Sequence, residues 1–169
     1  MRLTAPVVSL LAAGLLAAGG GHAQQPGDVP EKMPFNTPYG APISLQNAQE
    51  AIQAAIAEAN HRGWQMNIAV VDSGANLVTF ARMDGAQIGS IAISEHKARA
   101  AAKFRRPTRI IAEAAQKNAA LLSLDDVVAS PGGIPLVENG KLIGAIGCSG
   151  GTAAQDEVVC DAGARTINK

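Results

Sequence analysis

Residues 144–163 read GAIGCSGGTAAQDEVVCDAG, and this stretch decides the fold of the C-terminal part of the chain. Residues 142–146 are apolar apart from one glycine, which is typical of a strand covered on both faces. The glycine pair at 150–151 then permits a tight turn. Thr152 precedes Gln155 by the spacing of a capping box at the start of a helix. The stretch therefore predicts a buried strand, a glycine turn and a capped helix.

Apolar periodicity predicts three more helices and three more strands. The helices are expected at 44–62, 88–105 and 108–122, and the strands at 66–71, 77–82 and 134–137. The strands pair as hairpins, and the helices separate the hairpins. This order favours an α+β domain, with a central antiparallel β-sheet flanked by α-helices, over a doubly wound parallel sheet.

The N-terminal segment has the outline of a secretory signal peptide. Arg2 supplies a basic start, residues 5–18 are apolar, and a small-residue ending closes at Ala23. We therefore predict a signal peptide at 1–23, an extended N-terminal arm at 24–43 and a single domain at 44–169. The location would be periplasmic or secreted, without stable membrane insertion once the leader is removed.

The composition argues against nucleic acid and membrane surfaces as partners and favours a homo-oligomer. The 14 basic and 14 acidic residues balance, so neither nucleic acid nor an anionic membrane surface is expected as a partner. The chain is rich in alanine and glycine, with only 3% aromatic residues. Such small side chains supply little stability per residue, so burial at a subunit interface in a homo-oligomer would help.

The only two cysteines are Cys148 and Cys160, and two interpretations of them stay open. A helix that packs back on its own strand could bring them within disulfide distance, which suits an oxidising compartment. Alternatively, they are two small buried thiols. A metal or redox role is disfavoured because the chain has no CxxC motif.

Three segments together resemble the GlcG/HbpS family. They are residues 69–86 (AVVDSGANLVTFARMDGA), 97–108 (KARAAAKFRRPT) and 144–163. That family contains haem-binding or haem-degrading HbpS-like proteins and the C-terminal domain of PduO-type corrinoid adenosyltransferases. The resemblance covers about residues 44–167. It implies a layered domain like profilin or PAS domains, an oligomer, and haem as a ligand.

The second predicted helix carries the richest set of candidate ligand-binding residues. Lys97 falls in the middle of an apolar face that also includes Phe104. A lysine in this position either reaches water or a carboxylate, or presents its cation to a pocket that binds a propionate, phosphate or substrate carboxylate. Lys97 also matches the family's Lys-Ala signature.

Two histidines are candidate ligands for a haem iron or another metal. His96 lies at the border of the two faces of the second helix, and His61 lies near the end of the first helix. Ordinary boundary and surface histidines are the alternative interpretation. The family often has Thr or Ser where this chain has Ala100, in a region linked to the iron in a haem-binding relative. This difference weakens the transfer of that site.

Two further groups could bind an anion. Arg82 and Asp84 follow the second strand, where Arg82 either pairs locally with the carboxylate or holds an anionic group. Two glycine-rich loops are expected to meet at one end of the sheet and to offer backbone N–H groups to an anion; they contribute Gly132, Gly133, Gly150 and Gly151. Asp156 and Glu157 already place negative charge at that helix start, which disfavours a phosphate there.

Three functions follow from these residues. The first is a periplasmic or secreted protein that binds haem, a related tetrapyrrole or its iron. The second is an enzyme or accessory factor that acts on a small organic acid or aldehyde through Lys97 and Arg82, beside an exported oxidoreductase. The third is an oligomeric structural or assembly protein without a ligand of its own.

Overall fold

The computed structural model describes residues 30–168, so the predicted signal peptide and the first residues of the predicted arm lie outside the described part. The described residues form four α-helices and four strands, together with a short 3₁₀ helix, Ala119–Ser123. In chain order they are α1 Leu45–Arg62, β1 Asn67–Asp72, β2 Leu77–Arg82, α2 Ser90–Phe104, α3 Thr108–Lys117, β3 Gly133–Glu138, β4 Lys141–Ser149 and α4 Ala153–Ala164. The predicted α+β class is confirmed. Between residues 30 and 168, no helix has the length and apolar character needed to cross a bilayer.

The sheet has the order β2–β1–β4–β3, and every neighbouring pair is antiparallel. Because side chains alternate along a strand, β1 contributes to two separate cores. Ile68 and Val70 pack with α1 and α4 on one face. Ala69 and Val71 pack with α2 on the other face. The sheet is therefore covered on both sides, which explains the continuous apolar run in β4.

The third helix is shorter than the sequence predicts. The prediction carried it to residue 122, whereas α3 ends at Lys117. Asn118 has extended backbone angles, and its side chain accepts a hydrogen bond from the Ala120 amide. This local bond competes with the helical ladder and starts the 3₁₀ helix instead. The leucines that follow are therefore displaced from the helix face that they were expected to extend.

The segment that precedes α1 lies against the sheet and the end of α2. The Leu142 amide donates to the Pro38 carbonyl at 2.8 Å, and the Gly40 amide donates to the Leu142 carbonyl at 2.7 Å. The Tyr39 hydroxyl donates to the Lys103 carbonyl at 2.9 Å. Residues 38–40 thus form a short parallel bridge with β4 and are tied to the last turn of α2.

Cys148 and Cys160 form a disulfide that links β4 to α4. Their Cα atoms are 5.5 Å apart, and both residues are fully buried. Of the two interpretations that the sequence left open, the structure has the bonded one. The bridge fixes the helix to the strand from which it emerges.

Replacing both cysteines, in Cys148→Ala/Cys160→Ala, is expected to lower the free energy of unfolding by about 3 kcal/mol, because a short cross-linked loop no longer restricts the unfolded chain. Guanidinium denaturation of the oxidised protein and the variant measures the difference. Thiol titration of the unfolded wild type is the control, and it should find no free thiol. Two titratable thiols per chain would contradict the disulfide.

Candidate functional site

A buried ion pair joins α2 to α4. Lys97 Nζ lies 2.6 Å from Asp156 Oδ2, and the two side chains are 1% and 4% exposed. Lys97 Nζ also donates to the Cys148 carbonyl at 3.2 Å. Since α2 and α4 cover opposite faces of the sheet, the lysine side chain crosses from one layer to the other beside the end of β4.

The two glycine-rich loops meet around this pair, as the sequence predicts. Asp156 Oδ1 accepts hydrogen bonds from the amides of Gly150 and Gly151, each at 3.0 Å. A Cβ atom on Gly132 would stand 2.8 Å from the Asp156 Cβ and 3.1 Å from Lys97 Nζ. The next residue, Gly133, packs against the backbone of Lys97 and donates its amide to Thr108 Oγ1 at 2.9 Å. The glycines therefore leave room for an internal ion pair.

This geometry corrects the expectation that Lys97 and the glycine loops receive an external anion. The carboxylate of Asp156 takes the place expected for a ligand, because it pairs with the lysine cation and accepts hydrogen bonds from the two amides. Of the two roles weighed for Lys97, the structure has the pairing with a carboxylate. The side chain is too deeply buried to meet a substrate.

An apolar pocket opens between α2, α3 and the 3₁₀ helix, and we call it the α2–α3 pocket. Its volume is about 230 Å³. Its lining consists of aromatic and aliphatic side chains and one arginine: Phe104, Arg106, Ile111, Ala114, Leu121, Leu124 and Val127. An apolar cavity with a single cation at its edge suits a ligand that has an apolar body and an anionic group.

Arg106 is the polar group of this pocket, and two contacts orient it. Its Nε donates to the Phe104 carbonyl at 3.0 Å, and its guanidinium carbon lies 3.7 Å from the centre of the Phe35 ring. Burial lowers the pKa of Arg106, and the neighbouring charge of Arg105 lowers it further. Within the described residues, Arg106 has no ion pair with a carboxylate. An anion bound here would compensate a charge that is left without a carboxylate partner among residues 30–168.

The two candidate histidines lie on opposite sides of the molecule. His96 is exposed on α2 and lines a cavity of about 190 Å³ together with Asp126, Val127 and Val128. Val127 also lines the α2–α3 pocket, so the two cavities adjoin. His61 is exposed at the end of α1, which covers the other face of the sheet. The two imidazoles cannot bind one metal ion in a single chain.

Arg82 is also separate from the other candidates. It lines an open cavity of about 430 Å³ with Trp64 and Asp84, at the end of an edge strand. Arg82 and Asp84 form no ion pair in the described structure. Lys97 lines none of this cavity, so the two residues do not form the shared pocket that the organic-acid hypothesis needs. Nor do three metal-ligating side chains of His, Cys, Asp or Glu come together anywhere in residues 30–168.

Residues 43–165 match the family described as haem degrading protein HbpS-like. An uncharacterised 15.0 kDa protein from the dhaT–dhaS intergenic region of Citrobacter freundii is 38% identical over 126 residues, which cover 72% of this chain and 89% of that protein. The chain belongs to the HbpS-like family.

Two solved structures show the same fold. A double mutant of Streptomyces reticuli HbpS superposes with a TM-score of 0.72 at 27% identity, and the match covers 94% of this chain and 99% of that one. The complex of PduOC with heme superposes with a TM-score of 0.69 at 24% identity, covering 76% and 96% of the two chains. The second likeness concerns the fold alone. The family resemblance predicted from the three sequence segments is thus confirmed.

Sequence reasoning missed two residues that matter most in this HbpS-like chain. Asp156 was interpreted only as a favourable charge at a helix start, although an apolar-face lysine signals that a buried carboxylate is needed. Arg106 was not singled out. The feature that could have identified Arg106 is its position, because it follows the C-terminus of α2, where the chain turns between two packed helices.

Removing one partner of the buried ion pair is expected to be strongly destabilising. Lys97→Met or Asp156→Asn should each lower the free energy of unfolding by about 3–5 kcal/mol, because the remaining group loses its partner in a dry environment. Urea denaturation measures this cost. Arg99→Gln, which breaks the more exposed pair with Glu95, is the control and should cost less than about 1 kcal/mol.

The double variant Lys97→Met/Asp156→Asn tests whether the two residues act as a pair. Its cost should be smaller than the sum of the single costs, because no unpaired charge remains. Additive costs would show that the two side chains act independently.

Proposed function

We propose that this protein binds haem or a related tetrapyrrole in the α2–α3 pocket. The observation that carries the proposal is the position of Arg106 at the apolar α2–α3 pocket, where two contacts orient it and no carboxylate of the described chain pairs with it. A tetrapyrrole of this kind has a flat apolar ring and carboxylate side chains, so it matches both parts of the site. The description of the HbpS-like family as haem degrading, and a related fold that holds heme, support the same ligand class.

The residues present fit one edge of such a ligand. The pocket is smaller than the cavities of roughly 300–1,000 Å³ that enclose whole small ligands. The remaining ring surface would lie over the 3₁₀ helix and the segment after it, where Leu124 is 53% exposed. Covering this leucine and neighbouring apolar groups would remove apolar surface from water and stabilise the complex.

His96 supplies the only histidine beside the pocket in the described structure. A neutral imidazole is a common axial ligand of haem iron. His96 lines the adjoining cavity, which shares Val127 with the α2–α3 pocket. A ligand that extends across both cavities would therefore approach the His96 imidazole.

A haemin titration of Arg106→Gln tests the proposal directly. Glutamine cannot pair with a propionate as a cation does, so the Kd should rise about tenfold, the change expected when a charge-assisted hydrogen bond is lost. Arg62→Gln is the matched control, because Arg62 also lies over an aromatic ring, Trp64, but on the other side of the sheet. Equal affinities of the wild type and Arg106→Gln, or adsorption no different from an unrelated protein, would refute the site.

His96→Ala should change the Soret band of the bound haemin, because the iron loses its imidazole ligand. His61→Ala is the control, since His61 lies at the end of α1 on the other face of the sheet. Absorbance spectra of the oxidised and reduced complexes measure both variants. An unchanged band in His96→Ala would show that this histidine does not coordinate the iron. The carboxylate contact at Arg106 is tested separately, by the Kd of Arg106→Gln for haemin.

The proposal also covers where the protein works and how it assembles. A disulfide between Cys148 and Cys160 and the predicted leader support a periplasmic or secreted location. Exposed apolar side chains on and before α2, with Ile88 75% and Ile93 42% exposed, support a homo-oligomer. An exported oxidoreductase partner stays a prediction.

A further inference from the structure

The segment of residues 34–40, which we call the strap, is fastened to the end of α2 by several bonds. The bridge to β4 fixes Pro38 and Gly40, and the Tyr39 hydroxyl donates to the Lys103 carbonyl. Arg105 Nη1 donates to the Thr37 carbonyl at 3.2 Å, and its guanidinium lies over the Tyr39 ring at 5.3 Å. The strap therefore approaches the α2–α3 pocket from a fixed direction.

Phe35 lies at the N-terminal end of the strap and touches the pocket's arginine. Its backbone has φ of +59°, in the left-handed region that bulky residues rarely adopt. The Phe35 ring centre is 3.7 Å from the Arg106 guanidinium carbon, closer than the 5.0 Å and 5.3 Å of the other two arginine–aromatic contacts in the described chain. An unusual backbone conformation is thus maintained where it brings an aromatic face onto a cation.

These contacts leave one edge of the guanidinium available. The Phe35 ring covers a face of the Arg106 side chain, and the Phe104 carbonyl accepts from its Nε. The two terminal nitrogens make no side-chain or carbonyl hydrogen bond within residues 30–168. A guanidinium held by one face and by Nε presents its terminal N–H groups in a fixed plane, which is the arrangement that binds a carboxylate through two hydrogen bonds.

We infer that the strap is part of the ligand site and that Phe35 is a positioning residue, which orients Arg106 for a carboxylate of the ligand. This inference rests on the proposed function, and it adds the feature by which the ligand is selected. The strap favours ligands that carry a carboxylate beside an apolar body. This preference does not depend on whether the ligand also carries a metal.

The test compares haemin with haemin dimethyl ester, in which the propionates cannot pair with a guanidinium. The full chain should bind haemin about tenfold more tightly than the ester. Phe35→Ala should reduce this ratio to less than about twofold, while the Kd of the ester stays within about twofold of the wild type. Phe35→Tyr keeps an aromatic face and should restore the ratio. Met33→Ala, which shortens an exposed side chain two residues away, is the control and should leave the ratio unchanged.

A second readout needs no ligand. In nitrogen–proton correlation spectra, the Nε–H signal of Arg106 should be shifted by the ring current of Phe35, and the shift should disappear in Phe35→Ala and persist in Phe35→Tyr. An Nε–H signal unaffected by Phe35→Ala would overturn the positioning role, as would an undiminished haemin-to-ester ratio in that variant. A wild type that binds neither porphyrin, but shows the ring-current shift, would refute the haem-type ligand and leave the orientation of Arg106 established.

Discussion

The ion pair between Lys97 and Asp156 is the interaction on which the rest of the structure depends. It connects the helical layers on the two faces of the sheet, and it does so inside the protein, where both charges have left water. Removing charges from water is costly, so the pair is stable only when each group finds further partners. The Cys148 carbonyl and the amides of Gly150 and Gly151 supply them. The glycines, the disulfide and the capped helix all act at this one end of the sheet.

The same pair explains why small residues are concentrated in this part of the chain. A Cβ atom on Gly132 would press on both charged side chains, and one on Gly147 would stand 2.5 Å from the amide nitrogen of Ala98. α2 can therefore approach the sheet closely enough for Lys97 to reach across it. The disulfide joins Cys148, whose carbonyl accepts a hydrogen bond from Lys97, to Cys160, which lies one helical turn after Asp156. Backbone, cross-link and ion pair fix the same position of α4.

The fold could be predicted from the sequence because its signals are local. The capping box at Thr152 and Gln155 and the strand covered on both faces at 142–146 depend on near neighbours, and the structure contains both. The early end of α3 was missed because one side-chain hydrogen bond at Asn118 outweighs the apolar periodicity. The partnership of Lys97 with Asp156 was missed for another reason: the residues are 59 positions apart, and a single sequence contains no information on which helix start faces which lysine.

Lys97 and Arg106 are the two notable cations of the described chain, and their surroundings differ. The surroundings of Lys97 suit a role in stability, and those of Arg106 suit a role in binding. Lys97 attracted attention because it interrupts an apolar face, yet a buried lysine must be neutralised within the protein, and Asp156 does this. Arg106 does not stand out in the sequence, yet the protein orients it with Phe35 and the Phe104 carbonyl and gives it no ion-pair partner among the described residues. A cation that is satisfied internally contributes to the fold, whereas one that is oriented but unpaired can contribute to recognition. In this chain the residue that stands out in the sequence therefore belongs to the core, and the residue proposed to bind the ligand is defined only by its surroundings.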